Sequence, residues 1–260
     1  PWPLPIESEP GDAGPLAGDV EIPAGRYRVG AEPGGDFVFD NEKWAHDVDL
    51  PAFRIARAPV TNAEYARYVD DGGSPPRDWT RDESGRWLRW RFDGLVPLRP
   101  NAPVCNVSRA EAHAFCRWAG RRLPTEAEWE VAATYDFATG EKRRFPWGND
   151  APNVERANLD ARMREPLDVA ALPAGDSPSG LRQMIGNVWE WTADAFAPYP
   201  GFVRDPYKEY SEPWFGDHAV LRGGAWATRA RLIRGTWRNF YRPERSDPFA
   251  GFRTCATSFS

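Results

Sequence analysis

The sequence predicts an α+β domain poor in regular secondary structure, and three observations predict it. Three helix starts carry capping boxes. The strands signalled between them are short. The last third runs through Gly/Trp/Arg-rich segments in which neither helical nor strand periodicity persists: GNVWEWTADAF from Gly186, VLRGGAWATRARLIRGTWRNF from Val220 and FAGFRTC from Phe249. Glycine and proline make up 49 of the 260 residues, which points to loops, yet 13 Trp, 14 Phe and 8 Tyr supply enough apolar surface for a sizeable core. The chain is therefore loop-rich rather than disordered. Large side chains beside paired glycines suit a backbone that passes close to bulky neighbours. A core of this kind is held by Trp stacking and by Arg hydrogen bonds to loop backbone.

Along the chain, the opening PWPLPIESEPGDAGPLAGD is rich in Pro, Gly and acid and reads as an interdomain linker. Residues 1–21 are assigned to that linker and residues 22–260 to one domain. VEIPAGRYRVG alternates like a strand ending at Gly30. Thr61 with Glu64, Ser108 with Glu111 and Thr125 with Glu128 each place a helix N-terminus, and Gly72, Gly73 and Gly120 close the first two helices. In the third, Trp129, Ala132 and Ala133 share a face. Trp87, Leu88, Trp90 and Phe92 among basic residues predict an exposed hairpin turning at Ser84-Gly85. Residues 145–176 read mostly as loop, followed by short strands after Gly186.

Composition removes several function classes. A net charge of −5 without a basic run argues against nucleic acid, and no apolar stretch is long enough to span a membrane. Cys105, Cys116 and Cys255 show no CxxC spacing, so a reducing cytoplasm is expected and the thiols read as small buried hydrophobes. His46, His113 and His218 are the only histidines, and none is spaced with another ligand; no metal ligands are assigned. No nucleophile elbow or phosphate-cradling loop is present. Two sets of chemistry-bearing residues remain. DPYKEYSEPWF puts Tyr207 and Tyr210 three apart in a loop, where phenols either reach a ligand or stay idle at the surface. TWRNFYRPERSD offers Arg238, Asn239, Phe240 and Tyr241, which could bind a carboxylate and stack on a ring. The bland alternative for Arg238 is a packed loop in which it bonds backbone carbonyls.

RLPTEAEWEVAA, GNVWEWT, LRGGAW and GFR, in this order, resemble the formylglycine-generating-enzyme-like family, a variant of the C-type lectin fold, from about Ile22 to Cys255. Formylglycine-generating enzymes carry two copper-binding cysteines after the RGG segment; Thr228 and Ile233 stand in that register here, which excludes their oxidase chemistry. FVFDNEKWAHDVDLPAFRIARAPVTNAEYARYVDDGG, YPGF and PYKEYSE are similar instead to the ergothioneine-synthase branch. There, a nonheme Fe(II) held by three histidines of an N-terminal DinB-like domain joins sulfur to an imidazole carbon of trimethylhistidine (hercynine) with O2. The resemblance implies that Tyr207 or Tyr210 is the catalytic tyrosine and that Asn239 binds substrate, with the iron ligands coming from a domain outside these residues. Structural calcium is also implied by relatives that carry it on loops like the one holding Asn158. Actinobacterial members have Trp-Asp after the Asn, where Phe240-Tyr241 stands here. The loss of that carboxylate and the ending RNFYRPERSDPFAGFRTC look most like the selenoneine-synthase group, which uses a selenosugar. The expectation is thus a C–Se or C–S bond-forming synthase acting on hercynine. The alternative is a non-catalytic ligand-binding module of the same fold.

Overall fold

The computed structural model describes residues 13–35 and 37–257; the first twelve residues of the segment assigned to a linker lie outside them. Helices form where the capping boxes place them. α1 (Asn62–Asp70), α2 (Arg109–Trp118) and α3 (Glu126–Thr134) follow Thr61, Ser108 and Thr125. At each start the hydroxyl accepts from the backbone N–H three residues on, and that residue's glutamate accepts from the cap's own N–H. Each such cap contributes about 1 kcal/mol. α3 departs from the single apolar face expected of it. Glu126, Glu128 and Glu130 are buried together with Trp129, Val131, Ala132 and Ala133, so the helix is sunk in the core and its carboxylates need partners there.

The described residues form fifteen short strands: β1 (Asp19–Ile22), β2 (Gly25–Val29), β3 (His46–Leu50), β4 (Phe53–Ala56), β5 (Trp79–Arg81), β6 (Trp87–Arg91), β7 (Gly94–Pro97), β8 (Arg121–Arg122), β9 (Tyr135–Asp136), β10 (Glu141–Lys142), β11 (Trp189–Ala195), β12 (Ala219–Arg222), β13 (Asn239–Tyr241), β14 (Ala250–Gly251) and β15 (Cys255–Ala256). The one strand expected over VEIPAGRYRVG is two, and the first begins at Asp19, within the stretch read as linker. Pro23 follows β1 and has no N–H to extend a ladder, and the chain changes partner there: β1 pairs with β4, β2 with β3. The hairpin turns at Ser84-Gly85, where Asp82 Oδ1 accepts from the Ser84 and Arg86 N–H groups. β7 adds a third strand to it.

Two four-stranded sheets organise the rest, in the orders β1-β4-β15-β8 and β13-β12-β11-β14. In the second, β14 runs parallel to β11 and the other pairs are antiparallel, so Glu190 lies opposite Arg222 on one side and Gly251 on the other. Glycine is required where the segments cross. Gly223 has φ +92°, and a Cβ there would sit 2.5 Å from the Met184 carbonyl oxygen. Gly186 (φ +83°) would meet the Asn158 carbonyl at 2.6 Å. All three cysteines are free and buried, and burial pushes Cys105 and Cys116 up to about 12, far from the thiolate form. No helix of the described residues is long and apolar enough to cross a membrane.

Candidate active site

The motif segments converge in a buried ionic network rather than at a surface. Arg222, from LRGG, is 0% exposed; it donates to Glu126 Oε1 at 2.7 Å, Glu130 Oε2 at 2.5 Å and the Gly235 carbonyl at 2.6 Å. Lys142 Nζ and the Gly30 N–H complete the Glu130 carboxylate at 2.7 and 2.8 Å. Arg253, from GFR, grips both oxygens of Glu190, from GNVWEW, at 2.6 and 2.7 Å. Trp129 Nε1 donates to the same carboxylate at 2.8 Å. Arg253 also donates to three backbone carbonyls. The arginines do bond loop backbone as expected, but their main partners are buried carboxylates, which the sequence pattern does not anticipate.

Burial alone would raise Glu130, but Lys142 and Arg222 outweigh it and bring the carboxyl to about 2. Glu126 moves down as well, burial being overcome by Arg238 and Arg222. A depressed carboxylate stabilises the fold above its unfolded value of about 4.3, and that contribution disappears as pH falls from there through about 2. Urea midpoints should therefore hold between pH 7 and 5 and drop steeply between pH 4 and 2. A midpoint unchanged down to pH 2.5 would contradict the network.

The candidate site lies beside this network, where β13 forms a sheet edge. Arg238 does not face it. The residue is 1% exposed, and its guanidinium donates to both oxygens of Glu126 (2.6 and 3.0 Å) and to the Asn41 and Ala197 carbonyls. Its assignment to substrate is corrected to the packed alternative, because the buried Glu126 carboxylate and two backbone carbonyls take up its guanidinium. Asn239 is half-buried; its Oδ1 accepts from the Phe240 N–H, and its amide nitrogen has no hydrogen-bond partner among the described residues. Phe240 stacks on Phe196 at 4.2 Å and meets Tyr210 edge-on at 5.5 Å. Tyr241, next along the strand, is covered by Arg245 at 4.8 Å. Neighbouring strand residues point to opposite faces, so Phe240 and Tyr241 do not form one aromatic surface for a sugar.

The two tyrosines differ in burial. Tyr207 is 65% exposed and lies 6.2 Å from Tyr210. Tyr210, at the end of a 3₁₀ turn (Lys208–Tyr210), stacks on Phe39 at 4.0 Å, and its hydroxyl accepts from Trp237 Nε1 at 3.1 Å. Burial pushes its phenol up to about 12, so at neutral pH it keeps its proton. His218 packs against Phe240 and Trp214 and is bonded to Asp217 at 2.6 Å. Phe39, Trp237 and His218 thus belong to the site although no spacing in the sequence selects them.

The metals implied by the resemblance find no donor set in the described residues. No group of three or more His, Cys, Asp or Glu side chains is placed to hold an ion. His46 packs on Tyr199, His113 sits on α2 and His218 is spoken for by Asp217, so these residues do not fit iron. Near Asn158, amide nitrogens occupy the oxygens that calcium would need. Asn158 Nδ2 donates to the Glu165 carbonyl and Asn187 Oδ1, and Asn187 Nδ2 to the Leu167 carbonyl and Gln183 Oε1. Among the described side chains there, only Asn158 Oδ1 is buried without a hydrogen-bond partner, and one such oxygen is not a calcium ligand set.

An α+β, C-type-lectin-like domain knit by these motif pairs defines a protein class. The chain belongs to the sulfatase-modifying factor enzyme 1-like domain family, whose profile matches residues 7–258. Among its relatives are proteins named hercynine oxygenase. That from Mycolicibacterium thermoresistibile is 46% identical over 238 residues, covering 84% of this chain and 53% of that protein. That from Mycobacterium tuberculosis is 45% identical over 232 residues, covering 82% and 55%. The chain thus spans about half the length of these curated relatives. It is also 31% identical, over 96% of its length and 93% of the relative's, to a formylglycine-generating enzyme of Streptomyces coelicolor. Among solved structures, PvdO from Pseudomonas aeruginosa superposes with a TM-score of 0.70 at 25% identity, covering 91% of this chain and 93% of that one.

Proposed function

We propose that these residues are the lectin-like domain of an oxygenase that joins selenium or sulfur to an imidazole carbon of hercynine, with O2 as oxidant and iron held by histidines outside them. The observation that carries the reading is the placement of Tyr210: a proton-bearing phenol fixed between Phe39 and Trp237, beside the one edge strand whose Asn239 amide has spare donors. The kinship with hercynine oxygenases supports the same reading. Iron supplies the oxygen chemistry when bound. The chain's own residues supply the pocket wall. Asn239 would hold the substrate through its free N–H groups, Phe240 would bound the space for the imidazole, and Tyr210 would hold or deliver a proton at its hydroxyl. Tyr207, exposed on the same loop, is the alternative phenol, since residues outside this chain hold the iron.

The donor follows from what stands at the Trp-Asp position of actinobacterial members. Phe240-Tyr241 offers no carboxylate to an amino-acid donor's ammonium, which favours a donor without one, such as a selenosugar. The test is iron content and product mass for the protein together with whatever its coding sequence carries upstream, supplied with hercynine and each donor in turn. Bound iron and a selenium-containing product at the highest rate are expected. Faster turnover of cysteine or γ-glutamylcysteine would overturn the donor assignment. Ligand binding without turnover in any pairing would leave a binding module instead.

A further inference from the structure

We infer that the cleft lined by β4, α1 and α2 binds a small phosphate monoester, a dianion carried on an apolar body. The cleft encloses about 720 Å³ and shares no lining residue with the candidate active site. Its apolar lining comes from Ala58, Pro59 and Val60, which follow β4, and from Phe115 and Trp118 of α2. The Trp118 ring is 43% exposed, and its Nε1–H donates to Asp71 Oδ2 at 3.0 Å. That bond fixes the indole as a platform against which an apolar group can lie.

The charge comes from Arg54, Arg67 and Arg121. Arg121 is satisfied: it donates to both Asp19 oxygens at 2.7 and 2.9 Å and to Thr254 Oγ1 at 2.7 Å. Arg54 and Arg67 are not. Among the described residues neither guanidinium enters a hydrogen bond or an ion pair, and Arg54 Nε is buried without a partner. Glu21 stands opposite Arg54 across the β1–β4 pair, yet no ion pair joins them, so the guanidinium is left to the cleft it lines. The two carboxylates of the lining are already engaged, Asp19 by Arg121 and Glu64 by the Thr61 N–H and hydroxyl at 2.8 and 2.7 Å. A buried donor on a cation is costly to leave unmatched. Two unpaired guanidiniums balance one phosphate monoester, and their forked N–H groups suit its oxygens. The backbone under the cleft is tied to the core: Arg253 donates to the Ala56 and Arg57 carbonyls at 3.1 and 3.3 Å, and the Val60 N–H donates to the Phe252 carbonyl at 2.9 Å. A ligand seated on this stretch therefore stabilises the folded domain.

The test is calorimetric titration of the full protein with phenyl phosphate, with inorganic phosphate and phenylacetate as comparisons. Phenyl phosphate should bind at least about tenfold more tightly than either, since only it offers both the ring and the dianion. It should also raise the urea midpoint once its concentration exceeds Kd. Arg54→Met and Arg67→Met should each weaken it about 10- to 100-fold, the worth of a charged hydrogen bond. Neither guanidinium bonds to protein and methionine keeps the apolar stem, so both variants should hold the ligand-free midpoint. Trp118→Ala should weaken phenyl phosphate and leave inorganic phosphate unchanged. No saturable binding of phenyl phosphate, affinity no better than that of either comparison compound, or unchanged affinity in both arginine variants would each overturn the inference. So would a lower ligand-free midpoint in Arg54→Met, which would mean that this guanidinium already serves the fold.

Discussion

Arg222→Met should destabilise the domain by about 3–5 kcal/mol, the cost of breaking a buried ion pair from one side. Arg222 is fully buried and, among the described residues, is the only group bridging Glu126 and Glu130 with direct bonds to both. Arg238 and Lys142 would remain, each bonded to one of the two carboxylates. The methionine fills similar volume, so the loss reports the uncompensated charge rather than a cavity. Against a total stability of about 5–15 kcal/mol, such a loss removes much of the margin. It is measured as a shift of the urea midpoint at constant slope. A change below about 1 kcal/mol would mean that the pair is not what holds α3 against the second sheet.

Tyr210→Phe should lower turnover on hercynine by at least about 100-fold, the lower range for a positioned proton-transfer group, with KM little changed. Tyr207→Phe is the comparison that assigns the role: the large loss there, with Tyr210→Phe nearly unchanged, would give the chemistry to Tyr207 instead. Removal of the hydroxyl also leaves the Trp237 indole N–H unmatched, at a cost of about 1 kcal/mol in stability. Because burial holds the phenol near 12, the pH–rate profile should show no inflection from it up to the ordinary phenol value of about 10. Steady-state kinetics of both variants decide the matter, and equal losses from the two tyrosines would contradict the separation drawn between them.

The helices were legible because a capping box is local: Thr61 and Glu64 need only each other. The Gly/Trp/Arg segments were legible as core because paired glycines beside large side chains announce a close backbone, but their charge pairing was not. The site was less so. Arg238 and Asn239 look like one polar pair on paper, yet the buried Glu126 carboxylate draws Arg238 inward just before the strand of three residues on which Asn239 sits. Such a strand is too short for a period of two to be read. Glu126 and Glu130 of α3 imitate a solvated face, because Arg222, which bridges them, lies more than ninety residues away in sequence. Phe39 and Asp40 could not be linked to the tyrosines at all; 165 residues separate Asp40 from the backbone N–H that it accepts.

One strand of the first sheet governs how the polypeptide is made. Residues 53–56 leave the ribosome well before Cys255, yet they are flanked by residues 19–22 on one side and Cys255 on the other. That sheet stays open until nearly everything described has been translated. Glu190, too, waits unneutralised for Arg253. Nascent chains of this domain are thus committed late, and a premature stop only a few codons before residue 253 should send the product to proteolysis rather than yield a slightly shortened protein.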